Sequence, residues 1–187
     1  MILGKTIGKT STMEFDFVIT SSAKKFQYVQ VLSGENFVLG QIIEIEKERD
    51  AIAHCIVLGY RDFGGVLRNL RVPLEPAIEV LEAQDDLIKN VLGLVENKNY
   101  AYIGKIDGHD NIKVFLDLNK LLTRHICILA KSGAGKSYAV AVLLEELLDR
   151  NVPVVVIDPH GEYNTLKLPN DNKKDLADLD RFGIKAT

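Results

Sequence analysis

The segment Ala130-Lys131-Ser132-Gly133-Ala134-Gly135-Lys136-Ser137 constrains the fold of this chain more than any other feature. It follows the apolar run 125–129 and precedes the apolar segment 138–148, an order typical of a strand, a glycine-rich loop and a helix. Because Gly133 and Gly135 carry no side chain, consecutive backbone N–H groups can turn inward around a phosphate. The segment therefore predicts a phosphate-binding loop at a helix N-terminus.

Two side chains of this loop have predicted roles in holding ATP and Mg²⁺. Lys136 would reach the β- and γ-phosphates and act in catalysis, and the Ser137 hydroxyl would ligate the metal. The predicted nucleotide-binding residues of the loop are Ser132, Gly133, Ala134, Gly135, Lys136, Ser137 and Tyr138. Ala130 stands where the usual motif begins with glycine, which affects the entry to the loop rather than its identity. The alternative, an ordinary strand-to-helix turn, is disfavoured by the flanking apolar segments.

A second polar stretch, Asp158-Pro159-His160-Gly161-Glu162-Tyr163, follows the β-branched run 154–157. That run predicts a strand buried on both faces of a parallel sheet. Since ligands bind beyond the carboxyl ends of such strands, Asp158 and Glu162 are expected near the phosphates, where Glu162 could polarise the attacking water. The alternative is a turn held by proline and glycine with two solvated carboxylates.

Arg124 begins the strand that leads into the loop. At about 3.3 Å per residue it would lie roughly 20 Å from the glycines of its own chain. It is therefore either a contact to nucleotide held by a neighbouring subunit or a surface arginine. Two further triplets, Gly4-Lys5-Thr6 and Gly8-Lys9-Thr10, neither follow a strand nor open a helix, and we expect no phosphate site at either.

The region before residue 119 has the pattern of short strands separated by turns, which favours a small barrel or sandwich. The predicted strands are 15–20, 26–32, 37–45, 51–60, 100–106 and 112–116. A helix is predicted over 84–92, with Gly93 as its C-terminal cap. A second helix over 136–150 is apolar nearly all round and should pack on a sheet. We expect one domain over 1–118 and an incomplete α/β domain over 119–187.

Composition narrows the classes of function. A net charge of −3 and a pI near 5.8 argue against nucleic-acid binding over the whole surface, although a local basic channel remains compatible. No apolar run approaches the roughly 18 residues that span a membrane, so a cytoplasmic protein without membrane contact is expected. Cys55 and Cys127 lie in apolar runs and should be buried and reduced, a disulfide between them being the alternative. The histidines and cysteines show no metal-ligand spacing.

The glycine-rich loop with His125 in its lead-in strand, together with the string Asp158 to Tyr163, resembles the HerA family of hexameric DNA translocases, in the HerA–FtsK branch of P-loop ATPases. The segments 38–42 and 103–106 more weakly resemble the N-terminal barrel of these proteins, which is related to that of rotary ATP synthase subunits. The resemblance implies a small β-barrel followed by the start of a RecA/FtsK-like P-loop domain.

The resemblance also implies a function. ATP would bind between subunits of a homo-hexameric ring, and its hydrolysis would drive double-stranded DNA through the pore. The implied partner is a NurA-type nuclease in the processing of broken DNA ends. Lys136 and Ser137 take the phosphate and Mg²⁺ positions, Asp158 and Glu162 match the family string, and Arg124 matches a family nucleotide contact.

The chain departs from the family in length. Too few residues follow Asn119 for a complete P-loop domain, and no second acidic strand or arginine-finger segment follows Asp158. We therefore expect an N-terminal piece of a longer protein that hydrolyses no ATP alone. One alternative is a non-catalytic oligomerisation or partner-docking module. Another is a different P-loop ATPase, which the string Asp158 to Tyr163 disfavours.

Overall fold

The computed structural model describes residues 1–8 and 10–167, so Lys9 of the second Gly-Lys-Thr triplet and the residues from 168 onwards lie outside the described residues. The chain divides into two compact units, Met1–Leu94 and Val95–Thr187. The sequence placed a domain boundary later, between residues 118 and 119. The difference arises because the strands at 100–106 and 109–117 pair only with each other and belong to the second unit.

The first unit, called the barrel unit below, contains one antiparallel sheet and a helix. Its elements are β1 (Ile2–Ile7), β2 (Glu14–Ile19), β3 (Tyr28–Ser33), β4 (Asn36–Lys47), β5 (Ala51–Arg61), β6 (Leu67–Arg68), β7 (Glu79–Glu82) and α1 (Asp85–Leu92). The strands pair in the order β2-β1-β7-β3-β4-β5, and β2 also pairs with β5. This last pairing joins the two edges of the sheet, so six strands close a barrel, and the predicted barrel is confirmed.

Alternation of side chains builds the interior of the barrel. On β2, Phe15 and Phe17 point inward and are almost fully buried, while Glu14 points outward. Val29 and Val31 of β3 also point inward and are fully buried. The remaining members of this core are Leu3, Val38, Ile42, Ala53, Cys55, Leu70, Leu74 and Val80. The four strands predicted between residues 15 and 60 therefore exist, with ends displaced by at most two residues.

The first Gly-Lys-Thr triplet is part of β1 and serves the barrel itself. A Cβ on Gly4 would lie 1.8 Å from the Val18 carbonyl oxygen, so only glycine allows β1 and β2 to approach this closely. The buried Thr6 hydroxyl donates to the Glu75 carbonyl and accepts the Ile78 N–H, each at 2.9 Å. These contacts tie the segment before β7 to β1, a structural role that accounts for the triplet.

Helix α1 begins one residue after its predicted start and ends where the sequence placed its end. The side chain of buried Gln30 accepts the Gln84 N–H at 3.0 Å and so anchors the beginning of the helix. Ile88 and Val91 form its buried face. Gly93 adopts φ 69° at the C-terminal cap, as predicted, a conformation that side chains with a Cβ rarely adopt.

The second unit contains a hairpin and helices. Its elements are β8 (Tyr100–Ile106), β9 (His109–Asp117), α2 (Leu118–Leu122), α3 (Lys136–Asp149) and a 3₁₀ turn (Asn164–Lys167). Ala101, Leu118 and Leu147 form a small core with the partly buried Leu121, Leu143, Val152 and Val154. Within the described residues, no helix is long and apolar enough to cross a membrane.

Side chains from the end of α3 clamp the hairpin. Glu146 Oε2 accepts the Tyr102 N–H at 2.7 Å and pairs with Arg150 Nη1 at 2.8 Å. Arg150 Nη2 donates to the Tyr100 carbonyl at 2.6 Å. Side chains at the end of α3 thus form hydrogen bonds with backbone groups of β8, and α3 packs on the hairpin.

Three expectations for the second unit differ from the structure. The runs 125–129 and 154–157 are not strands, and neither pairs with another segment among the described residues. A β-branched run becomes a strand only where a neighbouring strand bonds to it. Helix α3 buries only Leu147 fully, because it packs on the hairpin and not on a parallel sheet. Cys127 is exposed, which corrects its expected burial, whereas Cys55 is buried, and both are free thiols.

Acidic side chains surround His54 on the outer face of the barrel unit. Its Nδ1 lies 2.8 Å from Asp16 Oδ1 on β2, and its Nε2 lies 3.6 Å from Glu46 Oε2 on β4. Glu14 and Glu44 also line this shallow cleft. The hydrogen bond to Asp16 is the main cause that raises the pKa of His54, with the charges of Asp16 and Glu46 adding to it, against a smaller opposing effect of burial.

Phe17→Ala should destabilise the barrel unit strongly. Phe17 is 0% exposed, and truncating such a side chain in a core costs about 3–5 kcal/mol. Phe63→Ala is the matched control, because Phe63 is 101% exposed and its truncation should change stability by less than about 0.5 kcal/mol. Urea unfolding of both variants measures the difference. Equal midpoints would contradict the assignment of Phe17 to the core.

The barrel unit should lose stability as the pH rises from about 6.5 through the folded pKa of His54. A pKa raised in the folded state means that protonated His54 stabilises the fold below its unfolded pKa of about 6.5, and this contribution disappears as pH passes the folded pKa. Asp16→Asn should move the His54 pKa, measured by NMR titration, back towards 6.5 and flatten the pH dependence of the urea midpoint. A His54 pKa that is unchanged in Asp16→Asn would refute the assigned cause.

Candidate functional site

The loop before α3 adopts a tight turn that depends on its glycines. Gly133 has φ 77° and Gly135 has φ 83°, in the left-handed region that glycine occupies without strain. The Ala134 N–H donates to the Lys131 carbonyl at 3.1 Å and closes the turn. A Cβ on either glycine would meet no atom within 4 Å, so backbone conformation, and not space within this chain, requires glycine here.

Helix α3 begins immediately after this turn with free N–H groups. Gly135 is its N-cap residue, and no side chain caps the helix. The first intrahelical bond runs from the Ala139 N–H to the Gly135 carbonyl at 2.9 Å. The preceding N–H groups of the first turn have no intrahelical acceptor, and with the helix dipole they favour an anion at this end. Lys136 adds an exposed positive charge at the same place.

Ser137 and Glu162 meet at the start of α3. The Ser137 hydroxyl donates to Glu162 Oε2 at 2.5 Å, although the two residues are 25 positions apart. The stretch from Asp158 to Tyr163 therefore folds back against the first turn of the helix. Two predicted site residues are brought together by this contact, which supplies a hydroxyl and a carboxylate oxygen side by side.

Asp158 organises the stretch that carries Glu162. Its Oδ2 accepts the Tyr163 N–H at 2.9 Å, and its carbonyl accepts the Gly161 N–H at 3.3 Å. Hydrogen bonds from backbone N–H groups to the Asp158 carboxylate, that of Tyr163 first, lower the pKa of this group and keep it ionised. Gly161 has φ 70°, so the turn also depends on a glycine. The contacts of Asp158 thus shape the turn itself. This agrees with the alternative given above, in which the stretch from Asp158 to Tyr163 is a turn.

The other predicted residues are solvent-exposed. Ser132, Gly133 and Ala134 form the exposed turn, and Tyr138 is 65% exposed on the first turn of α3. Arg124 is exposed just after α2, in the segment that leads to the loop. The loop accordingly presents its backbone and Lys136 to solvent.

An apolar cleft of about 500 Å³ beside α3 was not expected from the sequence. Its lining residues are Leu144, Leu148, Val154, Val156, Asp158, Tyr163, Asn164 and Leu166. Sequence reasoning also missed the clamp of Glu146 and Arg150, although their spacing of four residues on a helix was an available signal for an ion pair. The clamp fixes one end of α3 and the Ser137–Glu162 contact lies at the other.

The donor atoms at the start of α3 fit a magnesium nucleotide. Oxygen ligands suit Mg²⁺, which usually binds one or two protein oxygens together with substrate phosphates. Ser137 and Glu162 provide such oxygens next to the free N–H groups. Within the described residues, no group of three or more His, Cys, Asp or Glu side chains could hold a metal ion. Two protein oxygens together with phosphate oxygens would suit a metal that arrives with its nucleotide.

Comparison of the sequence with known proteins identifies a family that this chain matches. A family model described as "Helicase HerA, central domain" matches residues 101–181. A relative from Methanocaldococcus jannaschii, named "Probable DNA double-strand break repair helicase HerA", is 34% identical over 171 residues, covering 89% of this chain and 33% of that protein. The "DNA double-strand break repair helicase HerA" of Pyrococcus furiosus is 35% identical over 144 residues, covering 72% of this chain and 25% of that protein.

A third relative with the same name, from Sulfolobus acidocaldarius, is 44% identical over 70 residues, covering 37% of this chain and 14% of that protein. The chain thus spans a third or less of the length of these relatives. The similarity to the first relative covers most of the chain, and the family model covers the glycine-rich loop and the stretch from Asp158 to Tyr163. The chain belongs to the HerA helicase family.

Proposed function

We propose that this chain supplies the barrel and the phosphate-binding part of an ATP-driven DNA translocase that acts in double-strand break repair. The observation that carries the proposal is the uncapped start of α3, with Lys136 beside it and the Ser137–Glu162 contact against it. Similar proteins named as DNA repair helicases give the class of reaction. ATP would be the energy source and Mg²⁺ its companion ion.

In this proposal the backbone of residues 132–138 holds the phosphates. The free N–H groups of the first helical turn would donate to phosphate oxygens, and Lys136 would neutralise charge on the β- and γ-phosphates. Ser137 would hold Mg²⁺, which when bound neutralises charge that develops on the transferred phosphoryl group. Glu162 and Asp158 would present carboxylates on the same side of the loop.

The apolar runs on either side of α3 support an α/β domain of the RecA/FtsK type. Leu129, Val155 and Ile157 are 87%, 91% and 89% exposed, although all are strongly apolar. Runs of this kind are typical of strands buried on both faces of a parallel sheet. Pairing with neighbouring strands would bury them and would place the loop and Asp158 at the carboxyl ends of two strands, where nucleotides bind.

The assembly we propose is a homo-hexameric ring in the cytoplasm around double-stranded DNA, with a NurA-type nuclease as partner. The exposed Arg124 would contact nucleotide held by the neighbouring subunit. Such a ring needs only local basic surface at its pore, which is compatible with a net charge of −3 for this chain.

Lys136→Ala should abolish function in the native gene product that contains this chain. Loss of a charged hydrogen-bonding partner of the phosphates should weaken Mg²⁺–ATP binding about tenfold or more and reduce DNA-stimulated ATP hydrolysis to background. Titration with a fluorescent ATP analogue and a phosphate-release assay measure the two effects.

Lys47→Ala is the matched control, since Lys47 is an exposed lysine at the end of β4 in the barrel unit. It should bind and hydrolyse ATP like the native protein. If the native protein binds no nucleotide, the proposal fails and a non-catalytic docking module is favoured. If Lys136→Ala hydrolyses ATP normally, the loop is not the catalytic phosphate site.

A further inference from the structure

We propose that Glu162 is a positioning residue for magnesium. Its carboxylate accepts a hydrogen bond from the Ser137 hydroxyl and thereby directs a lone pair of that oxygen towards the metal. The inference rests on the proposed function and deepens it. It assigns to Glu162 a role other than the polarisation of water that its position after the run 154–157 predicted. The observation behind it is the 2.5 Å distance between Ser137 Oγ and Glu162 Oε2.

The chemistry of the two groups settles the direction of their hydrogen bond. An ionised carboxylate only accepts, whereas a hydroxyl has one proton and two lone pairs. Ser137 must therefore donate to Glu162, as the structure has it. With the proton engaged, the lone pairs of Ser137 Oγ remain available as metal ligands. Hydrogen bonds of this kind to a metal ligand orient it and increase its basicity.

The location of the contact favours positioning over proton abstraction. A general base must reach the water that attacks the γ-phosphate, within about 3 Å or through one further water. Glu162 Oε2 is instead bonded to the side chain proposed to hold Mg²⁺.

The loop that carries Glu162 is built to hold it in place. Asp158 accepts the Tyr163 N–H at 2.9 Å, so the residue after Glu162 is fixed. The residue before it, Gly161, has φ 70°, and a Cβ there would lie 2.9 Å from Asn164 Nδ2. A carboxylate between two restrained neighbours loses little conformational freedom when it bonds Ser137, as expected of a preorganised supporting group.

The test measures Mg²⁺ affinity separately from nucleotide affinity and from turnover. The native gene product is titrated with a fluorescent ATP analogue in EDTA, and the nucleotide complex is then titrated with Mg²⁺. Glu162→Ala should keep the metal-free nucleotide affinity and weaken Mg²⁺ binding about tenfold to a hundredfold. Glu162→Gln should restore most of the Mg²⁺ affinity and turnover, because an amide oxygen can also accept a hydrogen bond from the Ser137 hydroxyl.

A double-mutant cycle with Ser137→Ala tests whether the two residues act through each other. The double variant should bind Mg²⁺ no more weakly than Ser137→Ala alone, since Glu162 has nothing to orient without the hydroxyl. Glu96→Gln, a change at an exposed carboxylate of the second unit, should leave every measured quantity unchanged.

The outcomes separate this inference from the proposed function. Native protein that binds no nucleotide would overturn the proposed function and the inference with it. Native protein that binds Mg²⁺–ATP, together with a Glu162→Ala variant of unchanged Mg²⁺ affinity, would overturn the inference alone. Additive effects of the two substitutions in the cycle would also overturn it. So would a Glu162→Gln variant that has normal Mg²⁺ affinity but is as inactive as Glu162→Ala, and that result would favour Glu162 as a general base.

Discussion

The need of strand backbones for hydrogen-bond partners governs both units of this protein. In the barrel unit the pairing of β2 with β5 joins the edges of the sheet, and each of the six barrel strands then has two neighbours. In the second unit the hairpin cannot close on itself. There, Glu146 accepts the Tyr102 N–H and Arg150 donates to the Tyr100 carbonyl, so side chains of α3 serve in place of a third strand.

Because α3 side chains bond to the hairpin at one end of the helix only, the two ends of α3 differ. Its C-terminal half is fixed by the Glu146–Arg150 pair and by burial of Leu147 against the hairpin. Its N-terminal end carries no side-chain cap and leaves backbone N–H groups for an anion. Anchoring of one end holds the helix while the other remains open to a ligand, which is the arrangement that a phosphate site at a helix terminus requires.

The candidate site combines backbone groups and side-chain groups, and the two would have different ligands. In the proposed function, phosphate binding would depend on the glycine conformations of the loop and on the helix terminus, and both are present although Ala130 stands where the usual motif has glycine. Metal binding would depend on side-chain oxygens that lie together, and the turn organised by Asp158 and Gly161 carries Glu162 to Ser137. The two proposed roles thus place separate structural requirements on two short segments of this chain, the glycine-rich loop and the turn before Tyr163.

The sequence by itself determined what depends on neighbouring residues. Alternation placed β2 to β5 of the barrel unit but not β1, β6 or β7. The apolar face and Gly93 placed α1, and the glycine-rich loop placed the start of α3, because turns and periodic patterns act over a few residues. Only the tertiary structure decided the β2–β5 closure, the packing of α3 on the hairpin, the exposure of Cys127 and the meeting of Ser137 with Glu162. Each of these joins or separates residues far apart in the chain, and such pairings depend on which surfaces are left to be covered once the local elements have formed.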